Sequence, residues 1–174
     1  MRLPHPLSAA RHAGLTAILL LAGCAGYHLG PSNGQQAGAR SVEIRPFANQ
    51  TFEPRLTEAT TQQLRKQFQR DGTYRLATRE AGDVVVTGSL IRYEREPLSF
   101  QRTDVITTRD YSVNLTARIR AVDNRGRVLL DRDVVGRTTV RNVPDLGSAE
   151  RQAATLVAEN LANNIRSLLV DGSW

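Results

Sequence analysis

Twelve residues, from Tyr111 to Val122, limit the fold of this chain more than any others. Their side chains alternate strictly. Tyr111, Val113, Leu115, Ala117, Ile119 and Ala121 fall on one face, and Ser112, Asn114, Thr116, Arg118 and Arg120 on the other. Successive side chains of a strand point to opposite faces, so this pattern predicts a half-buried antiparallel strand with one wet side. Asp123-Asn124-Arg125-Gly126 follows as a hairpin turn. The return strand runs from about Arg127 to Val140, and its alternation slips at Asp131-Arg132-Asp133, which predicts a bulge or solvent exposure there. A long hairpin with one apolar face needs a cover on that face.

Two amphipathic segments supply the cover. From Pro54 to Arg70, the spacing of Leu56, Ala59/Thr60, Leu64 and Phe68 predicts a helix with a narrow apolar stripe, stopped by Asp71-Gly72. A second helix, capped by Asp145 or Ser148, carries Ala153, Leu156/Val157, Leu161, Ile165 and Leu168/Leu169 at helical spacing through Val170. Strands are expected at Ser41–Phe47, Tyr74–Thr78 and Asp83–Tyr93. Gly88 in the last of these marks a bulge or a close backbone approach. Residues 94–108 read as a charged connection, or as a strand extension that reaches past the core. The order of strand, helix, several strands and helix gives α+β: a four- to five-stranded mixed, mostly antiparallel sheet with two helices packed on one face. The opposite face, with Asn114, Thr116, Arg118 and Arg120, is expected to be bare.

The N-terminus adds an address. An apolar and small-residue run, Ala13 to Gly23, follows Arg2 and Arg11, as in an export signal, and is too short to span a bilayer. It ends in Leu21-Ala22-Gly23-Cys24, which resembles the lipobox of bacterial lipoproteins. That resemblance implies a diacylglycerol on the Cys24 thiol, cleavage before Cys24 and an N-acyl chain on the new amino group. Each buried methylene contributes about 0.8 kcal/mol, so several acyl chains hold a protein on a membrane durably. Residues 1–23 are then the signal, 24–40 a lipidated tether rich in Gly, Ser, Asn and Gln, and 41–174 a single domain. Ala25 rather than Asp after Cys24 implies, by the usual sorting rule, the outer membrane.

Composition removes most enzyme chemistries. Cys24 is the only cysteine, and with His5 and His12 cut away His28 is the only histidine, four residues from the anchor. Zinc sites and His-activated nucleophiles both need more. No enzyme activity, metal or cofactor is expected beyond the covalent acyl groups. Loss of Arg2 and Arg11 lowers the formal charge from +6 to +4, and seven Arg against three Asp lie between residues 118 and 141. Guanidinium groups suit phosphates, but interleaved Asp123, Asp131 and Asp133 make a solvated face the commoner reading. Aromatics are too few for nucleic-acid stacking platforms, so no nucleic acid is expected. Asn49-Gln50-Thr51 and Asn114-Leu115-Thr116 match glycosylation sequons only incidentally.

Several stretches together resemble the LPS-assembly lipoproteins of the outer membrane, the LptE family. They are Cys24-Ala25-Gly26-Tyr27-His28-Leu29, the passage Phe47-Ala48-Asn49-Gln50-Thr51-Phe52-Glu53-Pro54, Asp83-Val84-Val85-Val86-Thr87-Gly88, and the Tyr111 strand before a final amphipathic helix. Ala25 is inserted relative to the family's usual start, and the long polar C-terminal tail of some members is missing. The resemblance implies a plug inside the LPS-translocating barrel LptD, help in assembling that barrel, and contact with LPS. It points by position to Arg102 as an LPS-binding residue, with Arg137 and Arg141 as weaker candidates. Asn114, Thr116, Arg118 and Arg120 would then face the barrel. A pilot or structural lipoprotein for another envelope complex, such as a secretin or the peptidoglycan, is the alternative.

Overall fold

The computed structural model describes residues 37–101, 104–141 and 146–172. Strands β1 (Arg40–Ile44) and β2 (Ala48–Asn49) precede helix α1 (Leu56–Asp71). Then come β3 (Tyr74–Ala77), β4 (Val84–Gln101), β5 (Asp104–Asp123), β6 (Val128–Arg141) and helix α2 (Leu146–Val170). The strands form one sheet in the order β3-β1-β4-β5-β6, with β2 beside β4 past the end of β1. Pairing is parallel for β1 with β3 and β4 and for β2 with β4, and antiparallel along β4-β5-β6. This is the expected mixed α+β sheet. Cys24 and the proposed signal and cleavage site lie outside the described residues.

Both helices cover one face. Val113, Leu115, Ala117, Ile119 and Ala121 of β5 are buried there against Leu64 and Phe68 of α1 and Val157, Leu161 and Ile165 of α2, among others. Complete burial of a Leu or Phe side chain contributes about 1.5–3 kcal/mol, and this cluster supplies the core. α1 ends because Gly72 adopts φ 73°, where its N–H donates to the Phe68 carbonyl. At the same end, Arg166 of α2 donates to Asp71 at 2.7 Å, and the Tyr74 hydroxyl donates to the Leu169 carbonyl at 3.4 Å. Tyr74 also meets Phe68 edge to face, with ring centroids 5.9 Å apart. The C-terminal ends of both helices are thus fastened to the start of β3.

Helix α2 also meets the backbone of β6. A Cβ on Gly136 would lie 2.6 Å from Leu161 Cβ and 2.6 Å from the Val157 carbonyl oxygen, so only glycine allows this approach. Asn164 donates to the Val135 carbonyl at 2.8 Å, and Asn160 accepts from the Arg137 N–H at 2.9 Å. Two amides one turn apart therefore occupy main-chain groups that an edge strand otherwise leaves open.

Two features differ from the sequence expectations, and two open alternatives are decided. The first strand stops at Ile44, before Pro46, and Phe47 turns into the core over Gly88; a Cβ there would sit 2.9 Å from its ring. The chain then pairs again as the two-residue β2, too short to show a period. At Asp131–Asp133 the solvent-exposure alternative holds and the bulge does not: all three residues are exposed, with Arg132 at a helix-side position opposite Ile119, and the register runs on unbroken. The register shift of this hairpin falls instead between Ala121 and Val122. Finally, β4 and β5 run on to Gln101 and from Asp104, so the extension past the core is real. Beyond Leu90, β4 has left β2, and before Asp110, β5 has not yet met β6. Residues 92–97 of β4 still belong to a three-stranded β4-β5-β6 sheet, and only past Ser99 do β4 and β5 pair with each other alone, after several register shifts, with Leu98 and Phe100 about half exposed.

Candidate functional site

The face of β4-β5-β6 turned away from the helices carries the polar half of the Tyr111–Val122 pattern. Register places Arg118 between Ser89 and Asp133, and Arg120 between Thr87 and Asp131. Arg118 binds both carboxylates, Asp131 at 2.7 Å and Asp133 at 3.3 Å, and these bonds hold its guanidinium more firmly charged. Further along, Arg137 donates through Nε to Asn114 Oδ1 at 2.8 Å, and Asn114 Nδ2 donates to Glu96 at 3.4 Å. Arg92 and Glu94 pair at 3.8 Å. Arginines 92, 118, 120 and 137 thus share the face with Glu94, Glu96, Asp131 and Asp133, and the face is polar with balanced charge. Among the described residues, Arg120 alone of these four arginines has neither an ion pair nor a side-chain hydrogen bond.

This arrangement corrects one expectation. Asn114 is not bare: Arg137 and Glu96 close over it, and only 8% of it is exposed. The arginine-rich stretch does not form one patch. Alternation sends Arg118, Arg120 and Arg137 to the open face and Arg132 to the other, while Arg125 and Arg127 sit at the turn and Arg141 at the far end. Asp123 at the turn accepts from the Arg127 and Arg125 N–H groups and from the Arg127 side chain, which holds its carboxyl below the usual range.

The far end holds a small cleft of about 220 Å³ between the sheet and the start of α2. Val113, Val140, Ala149 and Ala153 form its apolar floor, and Tyr111, Arg95, Arg141 and Glu150 line the rest. Arg95 is placed by Glu150 at 2.6 Å and by the Tyr93 ring, whose centroid lies 5.6 Å away. Arg141 is placed by Asp110 at 3.7 Å, and Asp110 also accepts from the Ser99 hydroxyl. Of the candidate LPS-binding residues, Arg141 lines this cleft, Arg137 lies on the open face, and Arg102 is outside the described residues. Arg95 was not singled out from the sequence; its place in a charged run, Arg92 to Glu96, hid it. Among the described residues no group of His, Cys, Asp and Glu has the makings of a metal site.

The model of the family described as LptE, lipopolysaccharide-assembly, matches residues 39–169, nearly the whole of this fold. The chain belongs to the LptE family. LptE is a family of non-enzymatic assembly lipoproteins. The fold is also that of a hypothetical protein from Chlamydia trachomatis, at 9% identity and a TM-score of 0.52 over 75% of this chain and 94% of that one. A protein from Xanthomonas campestris matches at 11% identity and a TM-score of 0.52 over 83% of this chain and 95% of that one. No curated protein sequence matches the chain. Among the described residues, no helix is long and apolar enough to cross a membrane.

Proposed function

We propose that this LptE-family chain is an outer-membrane lipoprotein, lipidated on Cys24, that plugs and helps assemble the LPS-translocating barrel LptD and binds LPS during its insertion into the outer leaflet. The family match over residues 39–169 carries this reading. Two features of the fold support it. Barrel lumens are polar, and the open sheet face offers Thr116, Arg118 and Arg120, with the Arg137–Asn114 pair, as a charge-balanced wall. LPS joins acyl chains to phosphates, and the far cleft combines an apolar floor with Arg95 and Arg141. Arg102 is proposed as a further basic contact beside it in sequence.

Isolation of the full-length chain from detergent-solubilised outer membrane tests the reading. Co-purification of an LPS-translocating barrel is expected, and its absence overturns the assignment. Depletion of the chain is expected to lower surface LPS. Charge reversal at Arg102 or Arg141 is expected to weaken LPS capture with the barrel complex intact; unchanged capture removes that residue from the site.

A further inference from the structure

The protein has four phenylalanines, and the fold divides them evenly. Phe47 and Phe68 are buried, whereas Phe100 is half exposed and Phe52 wholly so, at 107%. Phe52 is not on a loose loop. Asn49 Oδ1 accepts from the Thr51 N–H at 3.0 Å and from its hydroxyl at 2.8 Å. Asn49 Nδ2 donates to the Glu53 carbonyl at 2.7 Å, and the Glu53 N–H donates to the Thr51 hydroxyl at 3.2 Å. The Gln50 N–H joins the Leu90 carbonyl of β4 at 2.9 Å. Residues on both sides of the ring are tied to one another or to the sheet, while the ring meets only water.

The edges of β4 and β6 do not offer a docking row in its place. Past Leu90 the outer edge of β4 carries register shifts, Pro97 and the charges of Arg92 to Glu96, all of which discourage strand addition. The β6 edge is held by Asn160 and Asn164. Contact at this end must come through side chains, and Phe52 is the most available one. Its surroundings select the kind of partner. A membrane-inserting loop needs several apolar groups beside basic ones. Phe52 instead stands alone among polar sequence neighbours, Gln50, Thr51, Glu53 and Arg55, whose two opposite charges balance. One aromatic inside a polar ring is the form of a protein hot spot, and a loop already ordered avoids the cost of freezing it on binding.

We infer that Phe52 is a preformed anchor that enters an apolar recess on the barrel partner. The inference rests on the function proposed above and adds to it a contact point outside the polar sheet face.

The test uses the full-length lipidated chain and the barrel protein from detergent-solubilised membranes. Phe52→Ala is expected to weaken their association by about ten- to a hundredfold, the range for losing one buried aromatic side chain. Phe52→Leu is expected to restore most of it, and both variants are expected to melt like the parent. Equal binding by parent and Phe52→Ala overturns the inference while the proposed function stands. Failure of the parent chain to associate overturns both. A photoreactive benzoylphenylalanine placed at residue 52 adds an independent reading. An adduct on the barrel protein supports the anchor; adducts on lipid alone overturn it in favour of a membrane contact.

Discussion

Strands β4 and β5 belong to two different environments along their length. From Val84 to Leu90, and back from Ala117 to Asp123, they have strand neighbours on both outer edges and helices over one face, and their inward side chains are nearly all buried. Past Ser99 and before Asp110 the same two strands pair only with each other, and Phe100 is half exposed. A two-stranded ribbon is marginal on its own in water. The contrast teaches that alternation along a strand reports burial only where a second layer exists. Continuous hydrogen bonding does not carry stability out to the end of the arm.

Core truncation in the body gives the largest expected effect. Leu115→Ala and Leu161→Ala each remove a fully buried side chain, and a loss of about 2–5 kcal/mol is expected in denaturant unfolding. Gly136→Val comes next. Its side chain would press on Leu161 and the Val157 carbonyl, and overpacking of this kind costs about 1–3 kcal/mol, read as a lower melting temperature. If the body proves as tolerant as the arm, the division fails.

Acid sharpens the comparison, because the depressed carboxyls lie at the body's fastened end. Burial pushes Asp71 up, but bonds from Thr73 and Arg166 outweigh it and hold its carboxyl below the usual range. Asp83 is likewise lowered, by the Ser41 N–H and hydroxyl. A lowered folded pKa means stability that is complete above the unfolded value, about 3.9, and is lost as pH falls through the folded one. Melting temperature is therefore expected to fall below about pH 4, and less steeply in Asp71→Asn and Asp83→Asn. Arg118→Ala, on the open face, is expected to cost under about 1 kcal/mol and less still in high salt. Phe100→Ser in the arm is expected to shift stability by no more than about 0.5 kcal/mol. Amide exchange gives the same order without mutation: β4 amides near Val86 are expected to exchange far more slowly than those near Phe100.

Much of this was readable in advance, for particular reasons. The Tyr111 strand, its turn and both helices announce themselves because each has one buried and one wet side, and that asymmetry survives in the residue order. β2 was not readable, since two residues have no period. The burial of Asn114 was hidden for another reason: its cover comes from Arg137 on β6 and Glu96 on β4, distant in sequence. The dispersal of the arginines was hidden in the same way, because net charge over a segment is blind to the face on which each residue falls. The far cleft required the start of α2 to come down on Val113 and Val140, a meeting that no local pattern encodes.

The seat of α2 on β6 has a consequence for descent. Asn160 and Asn164 grip main-chain groups, which every residue type supplies at position 135 and every one but proline at 137, and the helix backbone rests against a position that tolerates only Gly136. Such a joint asks little of the letters around it. Lineages are free to rewrite the solvent faces of β6 and of the helix while inheriting the same docking. Proteins that agree with this chain at 9–11% of positions and still share its fold are what a joint of this kind permits.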